Sequence, residues 1–280
     1  MDKTRKNTYI IAAVALVVFL IAIYFLFIFK KQPKEILPQV FEGDVRQLSE
    51  IEFDKRPYVT LTPTSDGAEI IISVENMSAF DRLEYELTYL ADNPQIAGQK
   101  IERGATGTDI NTKDAKYKKS ILLGTASRGV RNPDRGVTVG KLTMHMFKGS
   151  DEYQSETPWD LVQIGLRSES IRDRQGNFEL AVPGLGRDYW VILADTIGVP
   201  PNSQFDLGKV ILPTYGVFSI AKEFTKKGEL KIKTNQENPT QIYSYNLADS
   251  KWQEVETTQN GSQVTGNVSN FATFVVVSAK

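Results

Sequence analysis

The stretch Leu83–Ala91, "LEYELTYLA", decides the class of fold. Leu83, Tyr85, Leu87 and Tyr89 alternate with Glu84, Glu86 and Thr88. Successive side chains of an extended chain point to opposite faces, so this spacing builds a strand with one apolar and one polar side. The same reading extends in both directions. Upstream, "YVTLTP" and "AEIIISVEN" flank an Asp66-Gly67 turn and read as a β-hairpin. Downstream, "SILLGTA", "VTVGKLTMHMF" and "WDLVQIG" continue the strand pattern and close a first sheet set. The basic run "KYKKS", starting at Lys116, reads as a solvated strand edge, where lysines discourage edge-to-edge pairing.

A second set begins near Ser168. "GNFELAVPGL", "DYWVILAD", "GKVILPTYG", "ELKIKTN", "TQIYSYN", "KWQEVETT", "SQVTGNVS" and "NFATFVVVSA" are again short alternating or apolar runs between turn clusters. "SESIRDRQG" has some helical propensity and is read as the connector between the two sets. The expected architecture is all-β, with two β-sandwich, immunoglobulin-like domains over residues 51–167 and 168–280.

The N-terminus has a different character. From Tyr9 to Phe29 the chain reads "YIIAAVALVVFLIAIYFLFIF", without a charge. About 20 apolar residues suffice to cross roughly 30 Å of hydrocarbon. The run ends in bulky and then basic residues with no small-residue cleavage pattern, so it is read as an uncleaved signal anchor embedded in membrane lipid. Residues 1–8 are then a short cytoplasmic tail, and 30–50 a membrane-proximal spacer with Pro33 and Pro38. Lys3, Arg5 and Lys6 on one flank balance Lys30, Lys31 and Lys34 on the other, so basic charge does not decide the orientation. A short tail followed by one span and a long domain is the layout of an inside-to-outside anchor. The expectation is a single-pass protein of the cell membrane with its C-terminal domains extracytoplasmic.

Composition narrows the chemistry. The 280-residue chain has a net charge of −1, which creates no field for nucleic acid. It has no cysteine, which excludes disulfides, thiolate metal sites and cysteine nucleophiles. His145 is the single histidine, alternates with Met144 and Met146, and reads as a surface or satisfied histidine rather than a catalytic base. Asp151, Glu152, Glu156 and Asp160 cluster as a hydrolase's paired carboxylates would, against an ordinary reading as solvated loop charges. Asp109, Asn111 and Asp114 in "DINTKD", and Asp173 in "DRQGN", are candidate calcium ligands set against ordinary turn roles. The EF-hand spacing fails, because Lys113 and Asp114 stand at its fifth and sixth positions. No cofactor is expected. Trp159, Tyr189 and Trp190 are candidate ligand-contact aromatics.

The C-terminal part carries a resemblance. "IYSYNLADSKWQEV" followed by "VTGNVSNFATFVVV" resembles the end of ZU-type β-sandwich modules, known in ankyrins and netrin receptors, with looser counterparts on bacterial surface proteins. The matching pattern is a Tyr-x-Tyr strand (Tyr243, Tyr245), a polar turn, Trp252 leading the return strand, and a final strand with Phe271, Thr273 and Phe274. Ala272 stands where serine is usual, and the likeness spans residues 205–279. The resemblance implies non-enzymatic modules that mediate contacts or act as spacers, and it makes Trp252 a hairpin core residue. Residues 51–166 are similar to immunoglobulin-like surface modules in strand rhythm alone.

The leading expectation is therefore a non-enzymatic, membrane-anchored surface protein that presents β-sandwiches for adhesion or cell-envelope assembly, with a protein or glycan partner outside the cell. A carbohydrate-binding module is the alternative, and a glycan hydrolase a further one. The exposure of Trp159, Tyr189, Trp190 and Trp252 separates these readings, since a sugar platform needs exposed rings.

Overall fold

The computed structural model describes residues 45–221 and 223–279. The expected tail, membrane anchor and residues 30–44 of the spacer lie outside the described residues. Among the described residues no helix is long and apolar enough to cross a membrane.

The described chain is all-β, as the period-two pattern predicts. Its first half forms β1 (Val45–Gln47), β2 (Tyr58–Pro63), β3 (Glu69–Glu75), β4 (Arg82–Asp92), β5 (Lys100–Ile110), β6 (Lys116–Leu122), β7 (Gly124–Ser127), β8 (Val130–Pro133), β9 (Val139–Lys148) and β10 (Asp151–Ile164). The second half forms β11 (Ser170–Arg172), β12 (Phe178–Ala181), β13 (Tyr189–Asp195), β14 (Val210–Phe218), β15 (Gly228–Lys233), β16 (Thr240–Asn246), β17 (Lys251–Val255), β18 (Thr257–Asn260), β19 (Gln263–Val268) and β20 (Thr273–Ser278).

One sheet runs through both halves in the order β17-β16-β20-β14-β13-β10-β9-β4-β5, with β1 parallel to the start of β10. It passes straight across the expected boundary at 167/168, because Trp159–Ile164 of β10 pair with Tyr189–Ala194 of β13. Two smaller sheets cover it: β2-β3-β6, and β11-β12-β15-β19-β18. Strand parity shows that they lie on opposite faces. Ile192 and Ala194 of β13 pack into the core that holds Val59, Leu61, Ile70 and Ile72. Their neighbours Val191 and Leu193 pack into the core that holds Phe178, Leu180, Leu230 and Ile232. Alternate side chains of one strand point to opposite faces, so β13 is buried on both sides.

The smaller elements follow from local chemistry. The Asp66-Gly67 turn joins β2 to β3 as the sequence pattern predicts, with Gly67 at φ +68°. The basic run lies on β6, which among the described residues pairs with β3 alone and so forms the edge of its sheet. The end of the expected spacer is part of the body. β1 pairs with β10, and Leu48 is buried in the first core. "SESIRDRQG" differs from its helical reading: Ser170–Arg172 pair with Glu179–Ala181 as a strand hairpin. The Asp173 carboxylate closes that hairpin by accepting the backbone N–H groups of Asn177 and Phe178 at 2.7 and 2.9 Å. Tertiary pairing overrides a propensity worth only tenths of a kcal/mol per residue.

Candidate functional site

The aromatics expected to contact a ligand are not brought together. Trp159 is 0% exposed, its ring lying against Gly140 inside the first core, so it cannot meet a ligand. Its inward direction follows from its position opposite Ala194 on a strand whose same-face neighbour Leu161 is also buried. Trp190 covers the Asp66-Gly67 turn so closely that a Cβ at Gly67 would lie 2.5 Å from the ring. Tyr189 packs on the second core beneath the Arg187 guanidinium, 4.7 Å from the ring centroid. Adjacent residues of one strand face opposite ways, so Tyr189 and Trp190 form no common platform. Trp252 is 6% exposed and donates its indole N–H to the Pro201 carbonyl at 3.3 Å. Tyr245 and Phe205 flank it, with ring centroids 5.2 and 4.9 Å away.

The acidic run expected as loop charge is strand: Asp151, Glu152, Glu156 and Asp160 lie along β10. Each meets a different cationic or imidazole partner. Asp151 lies 3.3 Å from Arg46, and Glu156 lies 2.9 Å from Lys141. Asp160 receives both the Nε and Nη2 groups of Arg174, at 2.9 and 2.6 Å. Glu152 Oε1 lies 2.6 Å from His145 Nδ1, which makes His145 the satisfied histidine its sequence context predicts. Four separate pairs along a strand do not form the two facing carboxylates that glycoside hydrolysis requires.

The candidate calcium ligands are engaged in ordinary contacts. Asp109 accepts from the Tyr117 hydroxyl at 2.9 Å and from Lys119 Nζ at 2.8 Å. Asn111 donates to Asp114 at 2.9 Å. Asp173 caps its own hairpin. Among the described residues no group of three or more acidic or histidine side chains is arranged to hold a metal ion.

A cleft of about 600 Å³ opens elsewhere. It lies where the end of β2 (Thr62), the end of β14 and its continuation (Val217–Ala221, Glu223), the β16–β17 turn (Asn246–Ala248) and the approach to β20 (Asn270, Phe271) converge. Its size falls within the roughly 300–1,000 Å³ of common ligand pockets. The floor is apolar. Phe271 is held by an edge-to-face contact with Phe224 at 4.8 Å, and Ile220 stands 43% exposed at the rim. Two side-chain amides supply polarity. Asn246 uses its carbonyl oxygen to accept from the Ala248 N–H at 2.9 Å, which leaves its NH₂ without a partner among the described residues. Asn270 uses its NH₂ on the Phe271 carbonyl at 3.2 Å, which leaves its oxygen free in the same sense. The cleft thus offers one donor, one acceptor and an apolar floor, with Glu223 at the rim. Sequence reasoning missed it because its walls come from four segments far apart in the chain. In the sequence, Asn246 reads as the end of a strand and Ala248 as the start of a polar turn.

A second, smaller cleft of about 160 Å³ opens at the edge of the second core. Here burial, reinforced by the nearby Asp173 carboxylate, pushes the Asp195 carboxyl up to about 6 from 3.8. Between these values the folded chain holds a proton that the unfolded chain has released. This group's contribution to stability is therefore full below pH 3.8 and is lost as pH rises through about 6. Asp195→Asn, neutral at every pH, should flatten that slope. Urea midpoints measured across the window test this, and a slope equal in both proteins would refute it.

Set against known proteins, the chain matches no family model and no curated sequence, so its reading rests on the arrangement of its own residues.

Proposed function

We propose that this chain is a non-enzymatic, membrane-anchored surface protein whose two sandwich-like, immunoglobulin-like modules hold a docking cleft for an extended segment of a protein partner outside the cell. The observation that carries this reading is the composition of the 600 Å³ cleft: an apolar floor, one free amide NH₂ and one free amide oxygen. A peptide group presents one C=O and one N–H, which such a pair of amides can satisfy while neighbouring side chains fill the floor. The uncharged run Tyr9–Phe29 supports tethering at a membrane. The likeness of residues 205–279 to ZU-type contact modules points the same way. Against the glycan alternative stand the burial of Trp159 and Trp252 and the placement of the partly buried Tyr189 and Trp190 on opposite faces of one strand.

The test is a photo-reactive residue placed at Ile220 or Ala248 of the full chain in its native membrane, with the exposed Val130 as control. The expected result is cross-linking of one protein from both cleft positions and none from Val130. Equal yield from Val130, or capture of polysaccharide in place of protein, would sink the proposal.

A further inference from the structure

The 160 Å³ cleft has a second property, independent of the docking cleft. Its walls come from β10 (Pro158, Asp160), the turn after β11 (Asp173–Gln175), β13 (Leu193–Asp195) and β14 (Pro213, Tyr215). Asp195 and Tyr215 are direct cross-strand partners, so their side chains stand side by side on one face of the sheet. Asp160, opposite Leu193, lies on that face as well.

The charges do not cancel. Arg174 neutralises Asp160 through two contacts. Asp173 commits one oxygen to backbone N–H groups, which leaves its other oxygen without a partner among the described residues. Asp195 has no hydrogen-bond partner among them. Tyr215 is only 3% exposed, yet its hydroxyl also has none, and it borders the cleft. Asp173, Asp195 and Tyr215 all line the cleft, and their unpaired oxygens are free to accept from a donor that enters it. Burial pushes the Tyr215 hydroxyl's pKa up, and the charges of Asp173 and Asp195 push it further, as expected of a hydroxyl that stands near both carboxylates.

We propose that this slot binds a primary ammonium group, with Asp195, the free oxygen of Asp173 and the Tyr215 hydroxyl as acceptors for its three N–H donors. An ammonium is a compact cation with three donors and no acceptor, which matches two carboxylates and a hydroxyl. A calcium ion would require about six to eight oxygen ligands, which this slot does not supply. Pro158, Leu193 and Pro213 provide apolar wall for the methylene stem that precedes an ammonium. The ammonium is carried either by a lysine of a partner polypeptide or by a free amine. Asp195 binds as the carboxylate, so affinity falls as the pH is lowered through its titration. Asp160, Asp173, Arg174 and Tyr215 are the charged and titratable groups that border it.

The experiment uses the full chain in detergent, titrated with n-butylamine, with an acetylated lysine-containing tripeptide, with n-butanol as the uncharged control and with calcium. Saturable binding of butylamine, the tripeptide or both, none of butanol, and weaker binding at pH below Asp195 titration are expected. Asp195→Asn should weaken amine binding by about tenfold or more, as loss of a charge-assisted hydrogen bond does. Tyr215→Phe, which keeps both carboxylates, should weaken it severalfold and gives a second, independent readout. Tripeptide binding much tighter than butylamine identifies a polypeptide lysine, and similar or tighter butylamine binding a free amine. Equal response to butanol, unchanged affinity in Asp195→Asn, or saturable calcium binding without amine binding would overturn the proposal. None of these outcomes depends on the docking cleft.

Discussion

Replacing Trp159 by alanine is expected to destabilise the protein by about 3–5 kcal/mol, the range for removing a large aromatic from a packed core. The side chain is wholly buried, and its position is specified from two sides. Gly140, opposite it on β9, has no side chain. A methyl group there would lie 2.1 Å from Trp159 Cζ2 and 2.3 Å from the Thr88 carbonyl oxygen. The carbonyl belongs to the β4 ladder and cannot swing away as a flexible side chain could. Gly140→Ala should therefore cost about 1–3 kcal/mol or more through overpacking. The indole N–H of Trp159 is buried without a hydrogen-bond partner in the structure. Trp159→Phe removes that orphan donor while keeping much of the ring, so it should cost distinctly less than Trp159→Ala. Denaturant midpoints of the three variants test the set. A loss below about 1 kcal/mol for Trp159→Ala would be incompatible with a filled core at this position.

The second large effect concerns the strand shared by both cores. Ile192→Ala and Leu193→Ala should each cost about 2–5 kcal/mol, although the two side chains point to opposite faces and enter different cores. A strand buried on both sides couples what lies above and below it. Both substitutions should therefore lower the midpoint of one common transition, seen alike by the fluorescence of Trp159 in the first core and by exchange protection of amides in β15 and β19 of the second. Two transitions, each moved by only one of the substitutions, would show that the halves unfold independently and would refute this coupling.

The strands were legible because a local period encodes them. Leu83, Tyr85, Leu87 and Tyr89 are all buried in β4, while Glu86 between them is exposed. The Asp66-Gly67 hairpin and the Tyr243–Trp252 hairpin were legible for the same reason: turn residues and alternation act within a few positions. β10 was only half legible. Its first part, "DEYQSETP", breaks the alternation with charges at Asp151, Glu152 and Glu156, and it pairs as a strand because β9 and β1 flank it. The candidate sites were the least legible part. Trp159 and Trp190 looked alike as tryptophans near strand ends, and their environments separate them: one faces a filled core, the other lies over a glycine turn.

By itself the sequence determined that this is a β-protein with an apolar N-terminal run, and which side chains share a face within each strand. Alternation does not state which strand lies beside which, nor whether a face meets solvent or a second sheet. Only the tertiary structure decided that one sheet serves both halves, that β13 is buried on both sides, and that Asp173, Asp195 and Tyr215 meet in one slot. The physical reason is range. Backbone geometry and turn chemistry act over neighbouring residues, whereas sheet order and cleft composition arise from packing between segments distant along the chain.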